Sequence, residues 1–86
     1  MKVLTIMELG GVLLGAGMML QIQPGDYMCG DVMIRFTVLR IVEVCRDPGG
    51  SWVVLEGDVK HPNGPWYRQR ITVRVKALKK SLIAAA

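Results

Sequence analysis

His61 is the chain's one histidine and the natural candidate for a general base; Cys29 and Cys45 are the natural candidates for a nucleophile. A thiol attacks when a base draws off its proton, so the two residue types must meet. His61 sits in the turn His61-Pro62-Asn63-Gly64-Pro65, at the tip of a hairpin that neither cysteine is expected to reach. A solvated turn residue is the simpler account of it. Glu56 and Asp58 lie two residues apart on one strand face, a spacing that could serve acid–base work. Arginines are expected opposite both, which makes a salt-bridge ladder the better account. Neither cysteine has a metal-type spacing, and no Cys/His cluster supplies a zinc set. The pairs Gly10-Gly11 and Gly49-Gly50 match no phosphate-binding fingerprint. No catalytic constellation, cofactor site or metal site is therefore expected, and the two cysteines are expected to be small buried hydrophobes in a reducing compartment.

The chemistry the chain does offer is electrostatic. Arg68, Arg70, Arg74, Lys76, Lys79 and Lys80, with Trp52 and Trp66 beside them, form a basic ladder with aromatic neighbours. Single-stranded nucleic acid is bound by such a combination of cationic track and stacking platform. A formal net charge of +4 permits an anionic partner without demanding one. Asp58 and Glu56 are expected to neutralise the upper half of the ladder, leaving Arg74, Lys76, Lys79 and Lys80 unpaired.

These residues are positioned by strands. From Trp66 to Lys76 the even positions are Trp66, Arg68, Arg70, Thr72, Arg74 and Lys76, and the odd ones Tyr67, Gln69, Ile71, Val73 and Val75. That period of two separates a cationic face from an apolar one. From Ser51 to Lys60, Val53, Leu55, Gly57 and Val59 share the core face. Folding the two strands about the Asn63-Gly64 turn pairs Asp58 with Arg68, Glu56 with Arg70, Trp52 with Arg74, Leu55 with Ile71 and Val53 with Val73. A preceding strand, from about Met33 to Arg46, puts Ile34, Phe36, Val38, Val42 and Val44 on its core face. Arg40 interrupts that row, so a bulge or bend is expected near it. Leu39, Ile41 and Val54 then fall on the wet face as an apolar patch needing a cover.

The architecture expected is all-β: a partly open barrel on a three-stranded antiparallel meander, at about 33–46, 51–60 and 66–76. Residues 1–20 read as an apolar N-terminal arm or extra strand, 21–80 as the barrel and 81–86 as a tail with a short helical turn. Pro24-Gly25-Asp26 and Gly30-Asp31 bracket a short strand at Tyr27-Met28-Cys29. The order of turn, short strand, long bent strand and meander over Pro24 to Leu78 resembles small SH3-like barrels. That resemblance implies a fold and carries no functional residue with it.

With 86 residues, 51% of them hydrophobic, the chain has more apolar surface than one small domain hides. Lys2 to Leu20 could be a packed segment or inter-subunit arm, a membrane or signal segment, or an extension. Glu8 and four glycines oppose a membrane span, so packing is the expectation. Val12, Leu13, Leu14, Met18, Met19 and Leu20, with Leu39, Ile41 and Val54, are the expected interface. The function expected is that of a non-enzymatic assembly protein, located in the cytoplasm or in an ordered particle such as a virion, whose partner is itself. Nucleic acid is the alternative partner, through the ladder, and a membrane the less favoured one.

Overall fold

The computed structural model of the chain describes residues 6–83. The ends of the expected arm and tail, residues 1–5 and 84–86, lie outside them. The strands are β1 (Ile6–Leu9), β2 (Val12–Gly15), β3 (Met19–Ile22), β4 (Ile34–Asp47), β5 (Gly50–Lys60) and β6 (Trp66–Arg74). A 3₁₀ turn at Val75–Ala77 leads into the single-turn helix α1 (Leu78–Ser81). Strands β3 to β6 form one antiparallel sheet in chain order, curled into a half-barrel, and β1 pairs with β2 as a separate hairpin. The all-β barrel and the terminal helical turn expected from the sequence are present.

Of the expected N-terminal arm or extra strand, residues 6–15 form a strand hairpin packed on the sheet. Gly10 and Gly11 both have positive φ, as the two-residue type I′ turn of a hairpin needs. The hairpin lies against β4 and contributes Leu9, Val12 and Leu14 to the same core as Phe36, Leu55 and Val73. The boundary expected near residue 20 falls inside β3, whose Met19 and Leu20 pair with Thr37 and Phe36 of β4. The short strand expected at Tyr27–Cys29 is a single bridge, Tyr27 to Val73.

The β5–β6 register is the one expected: Trp52 opposite Arg74, Val53 opposite Val73, Leu55 opposite Ile71, Glu56 opposite Arg70 and Asp58 opposite Arg68. Strand β4 departs from simple alternation twice, between Val38 and Arg40 and between Ile41 and Glu43. Each irregularity adds one residue, and each reverses which parity faces inward. The core face therefore reads Ile34, Phe36, Val38, Ile41, with Val44 packed against the core at its end. Ile41, expected on the wet face, is 2% exposed, while Val42, expected inside, is half-buried. The first bulge also turns Arg40 out of the core row to meet Glu56.

Gly57 stands opposite the residue at which β4 bulges. A Cβ there would overlap the Thr37 carbonyl oxygen and lie 2.7 Å from the Phe36 ring. Neither obstacle can swing away: one is backbone and the other a fully buried ring. We predict that Gly57→Ala destabilises the fold by about 3 kcal/mol, lowering the melting temperature by upwards of about 12 °C. Thermal unfolding followed by circular dichroism checks it, and a wild-type melting temperature would contradict the packing of β4 on β5.

Candidate interaction surface

The outer face of the half-barrel can be followed row by row from the strand registers. Arg35, Lys60 and Trp66 form one row, Thr37, Asp58 and Arg68 the next, and Arg40, Glu56 and Arg70 the third. Glu43, Val54 and Thr72 follow, and then Cys45, Trp52 and Arg74. In the third row one carboxylate holds two guanidinium groups. Arg40 Nε lies 2.8 Å from Glu56 Oε1, and Arg70 Nε donates to Glu56 Oε2 at 3.2 Å. Hydrogen bonds from Arg40 and Arg70 hold the Glu56 carboxyl below the usual carboxylate range. Arg68 Nε donates to Asp58 Oδ1 at 3.0 Å.

The expected basic ladder divides into unlike parts. Arg68 and Arg70 are paired as expected. Two of the four cations expected to be free are engaged: the Arg74 guanidinium lies 4.6 Å over the Trp52 ring and donates to the Gly25 carbonyl, and Lys80 Nζ lies 2.9 Å from Asp26. Lys76 and Lys79 make no ion pair among the described residues. Trp52 and Trp66 share the outer face but stand eight residues apart along the β5 register, about 26 Å in an extended strand. They do not make one stacking platform. Arg40 joins the outer face through the bulge expected near it, between Val38 and Arg40.

The expected interface also divides. Val12, Leu14, Leu20 and Ile41 are buried within the chain's own core, so they are not free to meet a partner. The hairpin folding back over the barrel accounts for the first two, the closing of β3 onto β4 for Leu20, and the bulge for Ile41. Met18, Leu39 and Val54 are half-buried. Leu13 and Met19 are exposed, at 61% and 39%. Ile6 projects from the same hairpin face as Leu13. Leu82 and Ile83, also exposed, run beside Met19 through the Leu20–Leu82 bridge and the Ile83 N–H, which donates to the Met19 carbonyl at 3.2 Å.

At the other sheet edge a groove of about 460 Å³ opens between β6 and the loop that follows β3. Tyr27, Met28, Ile34, Val59, Tyr67 and Ile71 supply its apolar lining. Tyr27 Oη donates to the Val32 carbonyl at 2.6 Å, and burial pushes its phenol above the ordinary range. Cys29 and His61 both line this groove. His61 is nonetheless engaged elsewhere: its Nε2 is hydrogen-bonded to Tyr67 Oη at 2.6 Å and the two rings stack. No hydrogen bond joins it to Cys29 among the described residues. Both cysteines, expected to be buried, are exposed free thiols; Cys29 occupies a left-handed turn position at φ 62° and Cys45 points out from β4.

The doubly held carboxylate gives a pH signature. Glu56 titrates lower in the folded chain than the value of about 4.3 it has when unfolded. Its stabilising contribution is therefore fully present above that unfolded value and is lost as pH falls through the lower folded one. We predict that Glu56→Gln lowers the melting temperature at neutral pH and that the gap to wild type closes as pH drops below about 4. Melting curves of the two proteins that stay parallel from pH 7 to pH 3 would contradict it.

Among the described residues no helix is long and apolar enough to cross a membrane, and no group of three His, Cys, Asp or Glu side chains could hold a metal ion. No family model matches the chain, and neither does any curated protein or solved structure.

Proposed function

We propose that the protein is a non-enzymatic assembly subunit, a small barrel of SH3-like build that associates with copies of itself, of the kind that forms virions or other ordered particles. The observation that carries this reading is apolar surface turned away from the core on strands that already have a buried face. Ile6 and Leu13 project from the outer side of the β1–β2 hairpin, and Met19, Leu82 and Ile83 line the β3 edge. Grouped apolar residues of this kind on a small domain mark an interface more often than scattered ones do. Covering them would also add burial that a core of this size lacks. Two exposed free thiols fit a reducing compartment or particle interior. A nucleic-acid partner has less to draw on, since Lys80 is ion-paired, Arg74 is stacked on Trp52, and Trp52 and Trp66 make no common stacking platform.

Removing the hairpin would strip Leu9, Val12 and Leu14 from the core, so outward point substitutions are the cleaner probe. We predict that the chain runs as a multimer in size-exclusion chromatography with light scattering at high micromolar concentration. The double substitution Leu13→Asp with Met19→Asp is expected to shift it to the mass of one chain while unfolding stays cooperative. A wild-type protein that is monomeric under those conditions would sink the reading.

A further inference from the structure

The two edges of the main sheet are closed unequally. At the β3 edge Leu82 and Ile83 pair alongside Leu20 and Met19. At the β6 edge the cover is short. Met28 N–H donates to the Thr72 carbonyl at 2.8 Å and Arg74 N–H donates to the Asp26 carbonyl at 2.9 Å. The loop then turns away at Cys29, with its left-handed φ. From Trp66 to Arg70 no chain runs along the outer edge of β6 among the described residues. Because Thr72 and Arg74 direct their main-chain groups outward, strand alternation directs those of Arg68 and Arg70 outward as well. They form a short unpaired ladder, the template on which another strand adds.

Side chains on either side of that ladder specify what would add. On the inner side Tyr67, Gln69 and Ile71 border the groove, with Tyr27, Ile34 and Val59 as its floor. On the outer side Arg35, Arg40, Lys60, Arg68 and Arg70 share a face with Glu56 and Asp58 alone among acidic residues in those rows. The pairs of Arg68 and Arg70 are open to solvent, so those side chains can turn to a further carboxylate. Asp31 is the one acidic side chain lining the groove, on its loop side. A second copy of β6 fits this edge badly: antiparallel pairing would set Arg68 and Arg70 against their own equivalents, and like charges directly opposite repel. A polyphosphate chain would leave the main-chain donors and acceptors of the edge without a matching ladder.

The geometry points to the Trp66–Arg70 edge of β6 as a docking site for an extended peptide of a partner protein, in which acidic residues alternate with apolar ones. The peptide adds as a fifth strand. Its acidic side chains lie over Arg68 and Arg70, and its apolar side chains enter the groove between Tyr27 and Tyr67. This site is separate from the apolar surfaces proposed for self-association, and it stands or falls independently of them.

The test uses the full chain, isotopically labelled, and follows backbone amide resonances. The probe is a capped peptide whose central five residues alternate glutamate with valine. Its controls are the same peptide with lysine for glutamate, the same peptide with proline at the centre, and a short oligothymidylate. Saturable shifts centred on Trp66 to Arg70 and on the groove are expected with the glutamate peptide. Affinity at least about tenfold weaker is expected for the lysine and proline controls. The combined substitution Arg68→Glu with Arg70→Glu is expected to reverse the preference between the glutamate and lysine peptides. No saturable shift with the glutamate peptide, equal binding of the lysine peptide, or oligothymidylate shifting the same amides where the peptide does not would each overturn the proposal. The wild-type titration decides the matter even where the double variant fails to fold.

Discussion

Everything in this barrel depends on how β4 crosses β5. Two inserted residues bend the long strand, and at the first bulge its backbone comes so close to β5 that only glycine fits at position 57. That single missing Cβ lets a 14-residue strand curl instead of running flat. The curl brings Ile41 back into the core, leaves room for the hairpin to pack on β4, and carries the sheet edges round to where Leu82 and Tyr27 partly close them. A straight β4 would leave Ile41 in water and Arg40 facing the core, each costly in a domain this small.

The same bend organises the outer surface. By turning Arg40 out beside Glu56, it makes one carboxylate the shared partner of two guanidiniums and leaves that row of the sheet net cationic. Arg35 and Lys60 continue the positive field toward Trp66, next to the half of β6 that carries no covering segment. Charge, open main chain and an apolar groove thus meet at one end of the barrel, while exposed apolar side chains gather on the hairpin and the β3 edge.

The hairpin of β5 and β6 was legible in residue types because alternation and the Pro-Asn-Gly turn leave one workable register. Alternation failed where the chain itself breaks it. Arg40 flags one bulge, but a single anomalous residue does not say how the register shifts beyond it, so simple alternation misplaces Ile41 and Val42. The apolar N-terminal run was ambiguous for a different reason. Val12, Leu14 and Leu20 are as apolar as a partner-facing arm would be; the I′ turn at Gly10-Gly11 sends the first two back onto their own chain, and the pairing of β3 with β4 buries the third. Of the expected ladder, the ion pairs of Arg68 and Arg70 and the facing of Trp52 and Arg74 follow from register, whereas the ion pair of Lys80 with Asp26 and the hydrogen bond from Arg74 to Gly25 depend on loop placement that no spacing encodes. The open edge likewise depends on how far Asp26–Met28 reaches along β6, which no residue spacing encodes.

Residue-resolved amide hydrogen exchange on the wild-type chain probes that open edge most directly. Exchange in native conditions separates amides bonded within the sheet from those facing solvent. Along β6 the amides of Gln69, Ile71 and Val73 point to β5, and that of Arg74 is held by the Asp26 carbonyl. Slow exchange is expected at those four and fast exchange at Arg68 and Arg70, giving an alternation that stops where the loop begins to cover the strand. Arg68 and Arg70 amides as protected as that of Arg74 would contradict an uncovered edge.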